Sequence, residues 1–188
     1  MPEQPVDTPA TPGGPCDAAE RDTRPTLAVF DVDGVLADVR HRLRFVERSP
    51  KDWPSFFAAM ADDTPLEVGI ALVHDQAAAG HEIVYLTGRN ESYRGVTLAW
   101  MRDVGLPSGR LLMRRDSDRR PARLVKPEAL RRLARTGRVV AVVDDDAAVV
   151  DVLRRESWPV LHATWMTAES TPDEQQTLFD AQEADGRS

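Results

Sequence analysis

The chain has 188 residues, 41% of them hydrophobic, and a formal net charge of −7 at neutral pH. That length and apolar share allow one domain of ordinary size with a true core and exclude a disordered chain. No apolar run approaches the roughly 18 residues of a transmembrane helix, and the acidity argues against a protein that coats nucleic acid by bulk electrostatics. Residues 1–25 carry six prolines, two adjacent glycines and scattered acids without apolar periodicity, and read as a disordered leader. The start, Met1 to Pro5, has neither the basic stretch nor the apolar core of a secretory signal. Cys16 is the only cysteine, so neither an internal disulfide nor a cysteine metal cluster is expected, which fits the cytoplasm.

Leu27-Ala28-Val29-Phe30 runs straight into Asp31, with Asp33 two positions on and Gly34 next. A short continuous apolar run ended by turn residues predicts a strand buried on both faces, with Asp31 at its carboxyl end. Open α/β sheets place their ligands there. Residues 38–62 are too long for a tight connection and predict a flap or small cap over that strand end. It holds Arg40, His41, Arg42 and Arg44, then Trp53, Phe56 and Phe57. The aromatics are expected to pack the flap on the core, with a base-stacking platform as the alternative. Pro65 to Ala79 reads as a helix stopped by Gly80, and Glu82 to Leu86 as a second strand ending in Thr87-Gly88-Arg89. A helix from about Glu91 to Val104 and a short strand, Leu111 to Met113, follow.

Lys126, one of only two lysines, is expected to open a helix that runs to about Arg135. Arg138 to Val143 predicts a fourth strand running into Asp144-Asp145-Asp146, with Asp146 as the cap of a helix over 147–155. Pro159 to His162 is a fifth strand, and residues 166–188 read as an acidic tail. Residues 110–138 hold eleven Arg or Lys against three acids, so a local basic face exists on an acidic chain. Strands alternating with helices predict an α/β, doubly wound, Rossmann-like parallel sheet of five strands in the order 3-2-1-4-5. That domain spans about residues 26–165. Strands one and four are then neighbours, which brings Asp31 and Asp33 to Asp144 and Asp145. Oxygen-only ligands favour a hard cation such as Mg²⁺. Thr87, Arg89 and Lys126 nearby make a phosphate-shaped site, and no Gly-x-x-x-x-Gly-Lys-Ser/Thr loop for ATP occurs.

Four motifs in order, Asp31-Val32-Asp33-Gly34-Val35-Leu36, Thr87-Gly88-Arg89, Lys126 and Asp144-Asp145, resemble the haloacid dehalogenase (HAD) superfamily of phosphohydrolases. The resemblance implies an aspartyl-phosphate on Asp31, with Asp33 protonating the leaving oxygen and then activating water. Thr87 and Lys126 would hold the phosphoryl oxygens. Mg²⁺ would lie on Asp31, the Asp33 carbonyl and Asp144 or Asp145. A narrower resemblance, carried also by Leu36-Ala37-Asp38, Arg42, Thr97-x-x-Trp100-Met101, Leu112-Met113-Arg114 and Asp118-Arg119, is to the 3′-phosphatase domain of phage-type polynucleotide kinase. It implies that Arg42 and Arg89, with Gly88 between motif residues, contact the substrate phosphate, and that the substrate is a nucleic-acid 3′-phosphate or a nucleotide. This chain has Ala122 where that family has an acid four residues before the lysine. Lacking a kinase half, it reads as a stand-alone phosphatase. A phosphatase of small metabolites or 5′-nucleotides, and a non-catalytic binding module on the same fold, are the other readings. Oligomeric state is not legible.

Overall fold

A computed structural model of the chain describes residues 23–47 and 49–168. Most of the leader and the acidic tail lie outside the described residues. The first strand, β1 (Thr26–Phe30), is the centre of the sheet, its Leu27, Ala28 and Phe30 wholly buried. A tight turn through Gly34 leads to β2 (Ala37–Asp38) and a one-turn helix α1 (Arg40–Leu43). The flap continues through α2 (Trp53–Ala58), capped by the Asp52 carboxylate accepting from Ser55 N, and a 3-10 turn (Ala59–Asp62). It closes with β3 (Thr64–Pro65), which pairs antiparallel with β2 in a second, two-stranded sheet. The sequence pattern assigns Pro65 to a helix. Instead it ends a strand, because Leu66 N donates to Leu36 O and the helix α3 (Glu67–Ala78) starts only after that anchor.

The strand β4 (Glu82–Asn90) carries Thr87, Gly88 and Arg89 near its carboxyl end, and α4 (Arg94–Asp103) returns to β5 (Gly109–Arg114). The helix α5 (Ala122–Leu133) begins one turn before Lys126, so the lysine projects from the helix body rather than from its start. Pro127, inside the helix, lacks the N–H that would close one rung of it. Then come β6 (Arg138–Asp144), α6 (Ala147–Arg155), β7 (Val160–His162) and α7 (Trp165–Ala168). Asp146 caps α6 by accepting from Ala148 N and Val149 N.

The main sheet is parallel, in the order β5-β4-β1-β6-β7, while β2 and β3 stand apart from it. On one face Val73 of α3 and Trp100 and Met101 of α4 pack against Phe30 and Tyr85. On the other, Leu130 and Leu133 of α5 and Val149 and Leu153 of α6 pack against Val29, Val84 and Val142. The flap has its own apolar cluster of Val39, Leu43, Phe56, Phe57 and Met60, closed by Met166. Phe57 stacks on Tyr93 at 4.9 Å and on Trp53 at 5.8 Å, so the aromatics fasten the flap to the body, as core packing requires. No helix among the described residues is long and apolar enough to cross a membrane.

Candidate active site

The register Phe30↔Val143 sets Asp31 beside Asp144 at the carboxyl ends of β1 and β6, fastened by Asp31 N donating to Val143 O at 2.9 Å. Asp31 is only 2% exposed. Carboxylate oxygens of Asp31, Asp144 and Asp145 lie within 4.8 Å of one another. Lys126 answers two of them, its Nζ 2.8 Å from Asp144 Oδ2 and 2.9 Å from Asp31 Oδ2. With these partners the lysine needs no acid at position 122. Ala122 is buried in the apolar cluster under α5.

One ammonium does not balance three carboxyls, of which Asp31 and Asp144 are buried and Asp145 is partly so. Burial pushes Asp31 up to about 7; Lys126 opposes that rise and Asp144 adds to it. Burial, with the charges of Asp31 and Asp144, holds Asp145 well above the ordinary carboxylate range. Lys126 stays above its usual value, because Asp144 and Asp31 outweigh the burial that works against its charge. Asp31 Oδ1 and Asp145 Oδ1 are buried without a partner, and Asp31 Oδ2 faces Lys126 alone. Orphaned hard oxygens around a surplus of negative charge fit a divalent cation with oxygen preference. Asp33 does not offer its carboxylate to this cluster, being engaged elsewhere.

Asp33 faces two wholly buried arginines. Its Oδ1 accepts from Arg42 Nη2 at 2.7 Å and from Arg89 Nε at 2.9 Å and Nη2 at 2.5 Å. Burial raises the Asp33 carboxyl, but Arg42 and Arg89 together prevail and hold it down at about 2. Two guanidiniums exceed what one carboxylate satisfies, and the flap supplies the second anion. Asp63 accepts from Arg42 Nε at 2.8 Å and from Arg89 Nη2 at 2.6 Å. His41 Nε2 lies 2.9 Å from Asp63 Oδ1, and Trp100 Nε1 donates to the Asp63 carbonyl at 2.7 Å. Sequence reasoning missed Asp63. The one available signal is this charge count, since two buried arginines at a site demand a second acid. Each arginine still has one buried, unpartnered nitrogen, Nη1, and Asp33 Oδ2 is likewise unpartnered.

Thr87 Oγ1 accepts from Arg89 N at 3.1 Å, which leaves its own O–H to donate. The Gly88 carbonyl accepts from Arg114 Nε at 3.2 Å, tying β5 to the carboxyl end of β4. His162 contacts the Asp145 carbonyl at 3.1 Å, and His81 the Thr26 hydroxyl at 2.7 Å, so neither histidine joins a metal cluster.

Gly34 has φ +75°, and a Cβ there would collide with Asp145 Oδ2. Gly34→Ala is therefore expected to destabilise the protein by about 2–3 kcal/mol, a drop of roughly 5–10 °C in Tm. It also displaces Asp145. A variant melting with the wild type would show that the carboxylate does not sit against this turn.

The family model of the polynucleotide kinase PNKP phosphatase domain matches residues 25–164. Among solved structures, a chain of the Pnkp1/Rnl/Hen1 RNA repair complex is similar at TM-score 0.64 and 25% identity, over 77% of this chain and 44% of that one. Another structure of the Pnkp1/Rnl/Hen1 complex gives 0.63 and 24%, over 74% and 45%. The present chain thus spans less than half the length of those chains. The class C acid phosphatase from Bacillus anthracis, with tungstate bound, shares the fold at TM-score 0.58 and 14% identity, over 86% of this chain and 81% of that one. No curated protein matches the sequence significantly. The family match takes in every strand of the main sheet and every motif that carries chemistry, and the chain accordingly belongs to the polynucleotide kinase PNKP phosphatase domain family and is a HAD-type phosphatase.

Proposed function

We propose that the chain is a Mg²⁺-dependent phosphomonoesterase that removes 3′-phosphates from nucleic-acid ends through a phosphorylated Asp31. The observation that carries the reading is Asp31 itself: a buried carboxylate whose Oδ2 faces Lys126 Nζ at 2.9 Å and whose Oδ1 has no partner, beside two further carboxylates. The unpartnered Oδ1 keeps its lone pairs for nucleophilic attack. Asp31, Asp144 and Asp145, with the Asp33 carbonyl, would hold the metal, which supplies positive charge for the carboxylates and the phosphoryl oxygens. Asp31 attacks phosphorus as the bond to the sugar oxygen breaks. Lys126 and the Thr87 hydroxyl offset charge on the phosphoryl oxygens.

Asp33 handles the proton, giving it to the leaving oxygen and later taking one from the water that releases phosphate. Clamped by Arg42 and Arg89, it is held as the carboxylate, the form suited to the second half. The first half needs the proton on Asp33, so the guanidiniums must shift their hydrogen bonds toward substrate phosphate. Their unpartnered Nη1 atoms and the fixed support of Asp63 suit that shift.

The family of the chain and its likeness to a chain of an RNA repair complex favour a nucleic-acid end as substrate. The test is phosphate release with Mg²⁺ from a 3′-phosphorylated oligonucleotide, its 5′-phosphorylated counterpart, and 3′- and 5′-mononucleotides. A clear preference for the 3′-phosphorylated oligomer is expected. Equal or better use of 5′-mononucleotides would move the protein to metabolite or nucleotide turnover.

A further inference from the structure

The charge cluster under the flap has one member that meets solvent. The side chains of Arg42, Arg89 and Asp63 are wholly buried and that of Asp33 is 8% exposed, whereas His41 is 33% exposed. The ring reaches inward all the same. Its Nε2 lies 2.9 Å from Asp63 Oδ1, the oxygen that also accepts from Arg42 Nε at 2.8 Å. A carboxylate only accepts, so the ring nitrogen in this contact carries the hydrogen. Asp63 Oδ2 takes Arg42 Nη2 at 2.9 Å and Arg89 Nη2 at 2.6 Å. The imidazole therefore touches the one acid that backs both guanidiniums, and it stands apart from the carboxylates of the metal cluster.

Charge counting gives this contact a meaning beyond packing. Two guanidiniums and the carboxylates of Asp33 and Asp63 sum to zero, so the cluster is balanced while His41 is neutral. A phosphate that settles on the unpartnered Nη1 atoms of Arg42 and Arg89 turns the balance negative in a buried space, where unbalanced charge is costly. Histidine changes its charge between about pH 5 and 8, and the exposed edge of the ring gives a proton a way in. The charged ring also competes with Arg42 Nε for the shared Asp63 Oδ1, which frees Arg42 to turn toward the anion. The other charges around the ring are already answered or lie in solvent. Asp38 of β2 feels the ring, but Arg40 holds both its oxygens. Arg44 and Asp62 are exposed, and α2 and β3 bring no ionisable side chain.

We infer that His41 is a positioning residue whose protonation is coupled to phosphate binding: a proton on the ring tightens the hold on the phosphate, and bound phosphate draws a proton onto the ring. The inference rests on the phosphatase reading above and adds to it a proton-linked control of affinity, exerted through Asp63 by a residue that touches neither phosphate nor metal. The coupling is reciprocal, as any linkage between two binding events is. The affinity gained by protonation is present below the range in which the ring titrates and is lost as pH rises through it.

The test is calorimetric titration of inorganic phosphate, with Mg²⁺ present, into the wild type, His41→Gln and His41→Ala from about pH 5.5 to 8.5, each in two buffers of different ionisation heat. Glutamine keeps a neutral N–H donor near the place of Nε2 and cannot take the proton. Relative to His41→Gln, the wild type is expected to bind phosphate about fivefold more tightly at the acid end, and the two to converge at the alkaline end. Between those ends the wild type should take up more protons on binding than His41→Gln does. Reading the wild type against His41→Gln cancels the titration of phosphate itself and of the carboxylates common to both. His41→Ala, which lacks the donor as well, should bind more weakly at every pH. With a 3′-phosphorylated oligothymidylate as substrate, KM should follow these affinities while kcat stays within about twofold of wild type. Equal proton uptake by the wild type and His41→Gln, or a loss of affinity that is the same at every pH, overturns the coupling and leaves His41 as a support of the flap. If the coupling is found but the wild type does not hydrolyse the oligomer, the proposed substrate falls and the inference stands. If the wild type does not bind phosphate, both fall.

Discussion

Replacing Asp31 by asparagine is expected to lower phosphate release by at least about 10³-fold while the protein stays folded. The change keeps the volume of the side chain and removes only its charge and nucleophilic oxygen. Asp31 is wholly enclosed and sits among charges that include Asp144, Asp33 and Lys126. Taking one anion from a cluster with excess negative charge relieves repulsion, so the metal-free variant is expected to melt above the metal-free wild type. Activity and stability therefore move in opposite directions. A merely structural aspartate would lose both together. Steady-state turnover and a melting curve in chelator check the pair of outcomes. Turnover within tenfold of wild type would remove Asp31 from the chemistry.

Asp145→Asn is expected to separate the metal from the rest of the site. Its carboxyl is held well above the usual range by burial and by Asp31 and Asp144, and its Oδ1 has no partner. In the wild type, Mg²⁺ should raise the Tm by several degrees, as any ligand of the folded state does. The variant should show a higher Tm in chelator, little further rise with Mg²⁺, and turnover reduced by about 10²-fold or more. Acid should mimic the substitution. Asp31 sits at about 7 in the folded protein and at an ordinary carboxylate value when unfolded, so between those values the folded state binds a proton that the unfolded chain does not. The metal-free wild type consequently becomes more stable as pH falls from 8 toward 5, and Mg²⁺ protects it best at the alkaline end. An Asp145→Asn protein that still shows the full Mg²⁺ stabilisation would place the cation elsewhere.

Much of this site was legible because its parts lie at strand ends, where sequence and position coincide. Asp31 and Asp144 each follow an uninterrupted apolar run, and parallel pairing does the rest. Thr87 is similar, coming directly after the buried run Ile83 to Leu86. The flap was harder. Its length announced an insertion, but the pairing of Ala37–Asp38 with Thr64–Pro65 depends on two residues per strand, too few for any periodicity. Asp63 was illegible for a related reason. It stands in a polar stretch beside Asp62, and only the arrival of Arg42 and Arg89 at the same point makes one of those acids indispensable. The expected start of α5 at Lys126 falls one turn late, because the buried faces of Ala122, Ala129, Leu130 and Leu133 set the true extent.

The paired charges under the flap fasten it to the body of the sheet. Arg42 comes from one root of the flap and Asp63 from the other, while Arg89 and Asp33 belong to the body of the sheet. Swinging the flap away would tear apart several buried ion pairs at once, each costing about 3–5 kcal/mol when left with an uncompensated charge. The flap is thus riveted at both ends to Asp33 and Arg89 and is not expected to act as a hinged door. If the entrance is this rigid, its fixed shape is expected to select the substrate, and turnover to proceed without waiting for a gate to swing.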